Sequence, residues 1–243
     1  MTRRFVVTGA TGFIGLNVLE CLLGAGDVVT AVAMDDIPAL ARHGFASLPG
    51  RLMTTRADVR DRATMEALVR EAAPDAIIAA AAITSGPERE RTSPADILEV
   101  NLVATLRLLE VAARHNVARV IGFSSSAAMG ELPFLGHPVT EAHRPEPVSY
   151  YGISKAAIEA SAQRWRALAE RPAFVVARLS AVFGPWERST GMRDTLSPPH
   201  RLTELVVAGQ AIAPLPAGGE RDWAYAPYVA QALRWLATDE RAL

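Results

Sequence analysis

Short apolar runs alternate along the chain with longer stretches in which apolar residues recur every three or four positions. The runs are typical of buried strands, and the longer periodicity is typical of helices packed on one side. Strands are predicted at Phe5–Thr8, Val28–Ala33, Leu52–Thr55, Ala76–Ala82, Val117–Phe123 and Phe174–Leu179. Helices are predicted near Phe13–Gly24, Ala63–Ala72, Ala95–His115 and Tyr151–Ala169, with Asp61 and Ser93 as N-caps. Buried strands alternating with helices predict an α/β fold with a doubly wound parallel sheet.

The texture of the chain changes after Pro185, where prolines interrupt a loop-rich region. One helix is predicted near Arg201–Gly209, followed by a short strand near Arg221–Tyr225 and a last helix near Tyr228–Thr238. We therefore divide the chain into a domain over residues 1–185 and a small C-terminal lobe over residues 186–243, which we expect to bind the substrate.

The composition narrows the class of protein. Half of the 243 residues are apolar and the formal net charge is −1, without a run of like charge, which argues against binding to nucleic acid. Apolar stretches are too short to span a bilayer, and the N-terminus has no signal-peptide core. The single cysteine, Cys21, is expected to pack in the core. We expect a soluble, cytoplasmic protein with no membrane partner.

A glycine-rich turn follows the first predicted strand and opens the first predicted helix; it includes Gly9, Thr11, Gly12, Phe13, Ile14 and Gly15. Glycines permit close approach of the backbone to a diphosphate, and the helix N-terminus supplies free N–H groups and positive dipole. The spacing is GxxGxxG, which differs from the commoner GxGxxG fingerprint. The alternative is a glycine-rich turn without a ligand, but the strand–turn–helix context predicts a Rossmann-type dinucleotide site.

A carboxylate after the second strand selects NAD, because it binds the hydroxyls of the adenosine ribose. Asp35 lies 20 residues after Gly15, with Asp36 beside it, and no arginine between Ala31 and Asp36 is placed to meet a 2′-phosphate. NAD is therefore predicted. NADP stays an alternative, since both aspartates could lie in a solvated turn beyond the strand.

Lys155 is the only lysine among the 25 lysine and arginine residues, and it lies four residues after Tyr151. Residues four apart share a helix face, so both side chains can point into one pocket. A nearby cation is expected to lower the pKa of a tyrosine, which could then exchange a proton with a substrate hydroxyl or carbonyl. The alternative is an ordinary solvated lysine. Tyr150 competes with Tyr151, but it lies about 140° around the helix from Lys155.

Five motifs occur together: TGATGFIG at residues 8–15, ADVRD at 57–61, GFSSSAAMG at 122–130, YYGISK at 150–155 and RLSAVFGP at 178–185. In combination they resemble the extended short-chain dehydrogenase/reductases, specifically the NAD-dependent epimerase/dehydratase family. The likeness covers residues 3–185 well and residues 221–236 more loosely. The chain stops soon after that second region, so the resemblance implies either a minimal C-terminal lobe or an incomplete chain.

The resemblance implies roles for individual residues. Tyr151 would be the catalytic acid/base, Lys155 would hold the nicotinamide ribose, and Ser126 would orient the substrate. Asn101 would support this catalytic geometry. The implied cofactor contacts, besides the glycine-rich turn and Asp35, are Asp58, Val59, Ala80, Ala81, Ala82 and Ser124.

The substrate is expected to be a hydroxylated, sugar-like molecule, with Thr84, Ser85, Glu141, Arg193 and Arg221 as further candidate contacts. The chain departs from the family at Met129 and Ala181, two positions expected to face the substrate. No metal is expected, because no histidine has ligand partners at metal spacing. The resemblance also implies a homodimer. An epimerase or dehydratase is favoured, with a dehydrogenase or carbonyl reductase next and a non-catalytic dinucleotide sensor a lesser alternative.

Overall fold

The computed structural model describes residues 2–136, 138–169, 171–194, 196–211 and 222–239. The strands are β1 Arg4–Thr8, β2 Val28–Ala33, β3 Arg51–Arg56, β4 Ala76–Ala79, β5 Arg119–Ser125, β6 Ala173–Leu179, β7 Ala181–Phe183 and β8 Trp223–Tyr225. The helices are α1 Phe13–Gly24, α2 Ala39–Phe45, α3 Arg62–Ala72, α4 Pro87–Thr92, α5 Pro94–Leu98, α6 Ala104–Arg114, α7 Tyr150–Leu168, α8 Pro198–Val207 and α9 Ala226–Thr238.

Six strands form one parallel sheet in the order β3-β2-β1-β4-β5-β6. The sheet grows outward from the neighbouring strands β1 and β4 in two directions, so the crossover helices cover both faces. This topology confirms the predicted doubly wound parallel sheet.

Alternate residues of the central strands feed two separate hydrophobic cores. In β1, Phe5 and Val7 face the core covered by α1, α2 and α9, whereas Val6 faces the core covered by α3, α6 and α7. Every one of these three side chains is at most 1% exposed. Burial on both faces explains why the strands are continuous apolar runs and do not alternate with polar residues.

The long helix predicted over Ala95–His115 is interrupted. α5 ends at Leu98, a π-helical turn occupies Glu99–Val103, and α6 continues from Ala104. The polar Asn101 lies within that turn and is 1% exposed, and single π-helical turns of this kind often mark functional positions.

Other boundaries differ by a few residues. β4 ends at Ala79 and not at Ala82, and α2 and α4 are short helices that the apolar pattern did not predict. Asp61 is confirmed as an N-cap, since its side chain accepts a hydrogen bond from Thr64 N, whereas Ser93 makes no such bond.

The C-terminal segment contributes to the main core. α9 packs on α1 through Val229, Ala230 and Leu233, and β8 pairs in parallel with β7. α9 thus belongs to the same hydrophobic core as the sheet. The predicted domain boundary at residue 185 stays a prediction. Within the residues described, no helix combines the length and hydrophobicity needed to cross a bilayer.

Candidate active site

The carboxyl ends of β1, β4 and β5 open onto a cavity of about 550 Å³. β1 and β4 are the strands at which the sheet changes direction, and the crevice formed there is the usual ligand site of such sheets. The predicted residues brought together in its lining are Gly9, Thr11, Gly12, Phe13, Ile14, Gly15, Asp35, Asp58, Val59, Ala80, Ala81, Ala82, Thr84, Ser124, Tyr151, Lys155 and Arg193.

The glycine-rich turn has no room for side chains at two of its glycines. Gly9 has a φ of +62°, and a Cβ there would lie 2.6 Å from the carbonyl oxygen of Ala80. A Cβ on Gly15 would collide with the carbonyl oxygen of Gly9. α1 begins beyond Gly12 without a side-chain cap or an acidic residue in its first turn. Its first N–H groups and positive dipole therefore face the cavity, an arrangement that fits a dinucleotide diphosphate.

The part of the cavity next to the end of β2 carries carboxylates. Asp35 lies two residues beyond the end of β2, exposed, yet in the cavity lining. Asp58 accepts hydrogen bonds from Arg60, with Nη2 to Oδ2 at 2.7 Å, and these bonds hold the pKa of Asp58 below its usual value. Arg60 also contacts Asp96 at 3.2 Å, so its charge is neutralised locally.

Tyr151 and Lys155 lie in the first turns of α7, whose N-terminus is capped by Ser149: its hydroxyl accepts a hydrogen bond from Gly152 N at 3.0 Å. Lys155 is only 3% exposed, and its Nζ lies 5.3 Å from the centroid of the Tyr151 ring. Burial lowers the pKa of Lys155 to about 8. The structure therefore excludes an ordinary solvated lysine.

The pKa of Tyr151 is raised, chiefly by burial, although hydrogen bonds with Ser125 and Thr84 and the charge of Arg193 oppose that shift. The expectation of a lowered pKa for Tyr151 is therefore wrong. The ammonium lies over the ring face, and the cost of burying a phenolate dominates.

The serine next to Tyr151 is Ser125 and not Ser126. Ser125 is the last residue of β5; it lines the cavity, and its side chain lies close enough to Tyr151 to oppose the rise in the pKa of that tyrosine. Ser126 begins a 3-10 helix and is not among the residues that line the cavity. Ser124 lies under α7, where its hydroxyl approaches the Lys155 carbonyl oxygen at 3.5 Å. The position of Ser125 makes it the stronger candidate, and the substrate-orienting role of Ser126 stays a prediction.

Asn101 lies behind the cavity and braces two segments. Its Oδ1 accepts from Ile83 N at 2.7 Å, and its Nδ2 donates to Ile83 O at 3.0 Å and to the Ser154 hydroxyl at 3.2 Å. The Ser154 hydroxyl donates to the Tyr151 carbonyl oxygen at 2.6 Å. Asn101 thus links the segment after β4 to the first turn of α7, and its supporting role stays a prediction.

The predicted substrate contacts separate into three groups. Thr84 and Arg193 line the cavity, and backbone hydrogen bonds of Thr84 with Met192 and Asp194 pin the loop that carries Arg193. Ser85 donates to Glu90, and Glu141 is exposed; neither lines the cavity. Arg221 lies outside the described residues.

Arg193 is anchored by a buried carboxylate. Its guanidinium binds Glu187 at 2.7 Å and lies 5.1 Å from the centroid of the Phe13 ring. Glu187, whose side chain is 0% exposed, also accepts hydrogen bonds from the backbone N–H and hydroxyl of Ser197. Three donors satisfy this buried charge, so Arg193 is held facing the cavity.

Sequence reasoning did not single out Arg60, Glu187 or Arg188. No local pattern marks Glu187 and Arg188 among the other charged residues, because their positions relative to the cavity are set only in the folded chain. Across the described residues, no group of three or more histidine, cysteine, aspartate or glutamate side chains is placed to hold a metal ion.

Comparison with known proteins identifies the family to which this chain is similar. The model of the NAD dependent epimerase/dehydratase family matches residues 5–243. The dTDP-glucose 4,6-dehydratase of Salmonella typhimurium is 28% identical over 98% of this chain and 70% of its own length. The Bordetella bronchiseptica enzyme WbmH, solved in complex with NAD+, superposes with a TM-score of 0.77 at 25% identity, over 98% of this chain and 73% of that one. UDP-glucose 4-epimerase of Thermotoga maritima, solved with UDP-glucose, gives 0.78 at 25% identity, over 97% and 73%.

Proposed function

Because the chain belongs to the NAD dependent epimerase/dehydratase family, we propose that it oxidises a hydroxyl-bearing carbon of a nucleotide sugar and then returns the hydride to the sugar, with NAD as its cofactor. Family membership confirms the resemblance carried by the sequence motifs, and with it the expectation of an NAD-dependent enzyme of the epimerase/dehydratase type on a sugar-like substrate. The nucleotide part of the substrate and the residues that carry the reaction are proposals.

The residues divide the work by position. Tyr151 exchanges the proton of the substrate hydroxyl, while the nearby Ser125 and Thr84 hydroxyls orient that proton transfer. Lys155 would hold the nicotinamide ribose. NAD, when bound, would supply the hydride acceptor and donor for the two halves of the reaction. The raised pKa of Tyr151 favours its protonated form, which donates to a carbonyl oxygen in the reducing half of the reaction; in the oxidising half Tyr151 would accept the substrate proton as the phenolate.

One observation supports the proposal most strongly. The Ser125 and Thr84 hydroxyl side chains and the buried Lys155 lie close to the Tyr151 side chain, in the same cavity as the glycine-rich turn. A lysine that only served packing would carry the cost of a depressed pKa without benefit. A site that needs a cation next to a tyrosine explains that cost.

The experiment begins with the purified chain, from which denaturation releases any bound dinucleotide for chromatography. The protein is then incubated with UDP-glucose and dTDP-glucose. We expect retained NAD and an epimerised or 4-keto product without net NADH. Tyr151→Phe should lower turnover at least about 100-fold while NAD binding is kept. Tyr228→Phe, at a tyrosine 68% exposed on α9, is the matched control. Near-normal turnover by Tyr151→Phe contradicts the assignment.

A dehydrogenase or carbonyl reductase on a non-nucleotide substrate is the second candidate. Arg193 favours it. The guanidinium lies close enough to Tyr151 for its charge to affect the pKa of that residue, so it could bind a substrate carboxylate near the reacting carbon. Net accumulation of NADH with small hydroxylated acids, and none of the products above with nucleotide sugars, would select this candidate.

We also propose a homodimer through the exposed face of α7. Tyr150 and Ile153, three residues apart on that helix, are 40% and 43% exposed. Light scattering on the wild type and on Ile153→Arg tests this. A dimer that the substitution weakens supports the proposal, and a monomeric wild type contradicts it. The cytoplasmic location stays a prediction.

A further inference from the structure

The segment that follows β7 is fastened to α1. Asn17 donates to the carbonyl oxygen of Pro185 at 2.8 Å, and the indole N–H of Trp186 donates to Glu20 at 2.7 Å. The Trp186 ring also meets Phe45 edge-on, with centroids 5.8 Å apart. These contacts fix the path of the chain beside the N-terminal half of α1.

Arg188 is thereby brought to the glycine-rich turn. Its Nη2 donates to the carbonyl oxygen of Thr11 at 2.8 Å, and the side chain is partly buried in the cavity lining. Thr11 immediately precedes Gly12, the N-cap of α1. A guanidinium has five N–H donors, so this single bond leaves most of its donor capacity available to a ligand.

The charges around the cavity set Arg188 apart. Of the residues that the structure describes, five cationic side chains line it, and three of them, Arg60, Arg89 and Arg193, are each paired with a carboxylate. Among the described residues, Arg188 and Lys155 line the cavity without a carboxylate partner. Lys155 lies at the Tyr151 end. Arg188 is therefore the cation left unneutralised at the glycine end.

We propose that Arg188 binds the diphosphate of the dinucleotide, opposite the N-terminus of α1. Helix N–H groups and dipole meet the phosphate oxygens from one side, and the guanidinium fork meets them from the other. The inference rests on the proposed function, because it requires a dinucleotide in this cavity. It adds a contact made by the segment after β7 to those made by the glycine-rich turn.

The test measures binding and does not depend on turnover. Dissociation constants of NAD+, ADP and adenosine are determined by calorimetry for the wild type, Arg188→Ala and Arg188→Gln. Glutamine keeps an N–H donor for the Thr11 carbonyl oxygen but not the charge, so it covers the case in which alanine disturbs folding. Arg201→Ala removes a charge from an exposed position of α8 outside the cavity and is the control.

We expect both Arg188 variants to bind NAD+ and ADP about 10- to 100-fold more weakly, with adenosine binding and the thermal midpoint unchanged. Their NAD+ affinity should also depend less steeply on salt, since a screened charge pair is gone. Wild-type affinity of Arg188→Gln for NAD+ and ADP overturns the inference and leaves the proposed function standing. Equal weakening of adenosine and ADP overturns it too, because Arg188 would then act through the fold. A wild type that binds neither NAD+ nor ADP removes both proposals.

Discussion

Replacement of Lys155 by methionine is expected to stabilise the folded chain while it removes activity. Lys155 is 3% exposed, and no carboxylate among the described residues pairs with it. Burial of this ammonium therefore lowers the free energy of unfolding. Methionine has a similar volume and flexibility and carries no charge, so it should fill the same space.

The magnitude follows from the pKa. Burial lowers the pKa of Lys155 from 10.5 to about 8, a difference of about 2.5 units, which corresponds to about 3 kcal/mol at neutral pH. The cation–π contact with the Tyr151 ring returns about 0.5–1 kcal/mol. The net gain in the free energy of unfolding should be about 2 kcal/mol, or about 4–8 °C in Tm for a chain of this size.

The pH dependence has a definite sign. Between pH 8 and 10.5 the unfolded chain binds more protons at Lys155 than the folded chain does, so wild-type stability from this group rises with pH. The cost is fully present below pH 8 and is gone above pH 10.5. The advantage of Lys155→Met should therefore shrink across that window.

Urea unfolding followed by far-UV circular dichroism, at neutral pH and at about pH 9.5, measures both effects. Arg164→Met, at an exposed position of α7, is the matched control and should change stability by less than about 0.5 kcal/mol. The reasoning is refuted if Lys155→Met is no more stable than the wild type at neutral pH, or if its advantage persists unchanged at the higher pH.

Three further substitutions test the site. Asn101→Ala leaves the N–H and carbonyl of Ile83 without side-chain partners, each at a cost of about 1–3 kcal/mol. Urea unfolding should show that the free energy of unfolding falls by about 2–5 kcal/mol. A decrease under about 0.5 kcal/mol would contradict the bracing role of Asn101. Ser125→Ala should lower turnover about 100-fold, because it removes the hydroxyl next to Tyr151. Ser126→Ala should have little effect. Equal losses in the two serine variants would contradict the choice of Ser125 over Ser126.

Local sequence patterns determined much of the sheet and part of the candidate site. The apolar runs specified the central strands of the sheet, β1, β2, β4 and β5, because these are buried on both faces. The glycine-rich turn was readable because its requirements, a positive φ at Gly9 and close packing at Gly15, arise within a few residues. Tyr151 and Lys155 were readable because a helix fixes the relation of residues four apart.

Tertiary structure decided the rest. Whether Ser125 or Ser126 meets Tyr151 depends on where β5 ends beside β6, where Ser125 is still paired with Leu179. Arg188 lies 177 positions from the carbonyl oxygen it binds, so no local pattern could select it among the arginines. The direction of the Tyr151 pKa shift depends on how deeply the fold buries the ring. Sequence determined what adjacent residues impose on one another, whereas contacts and burial across the fold required the assembled chain, because they depend on distances in space.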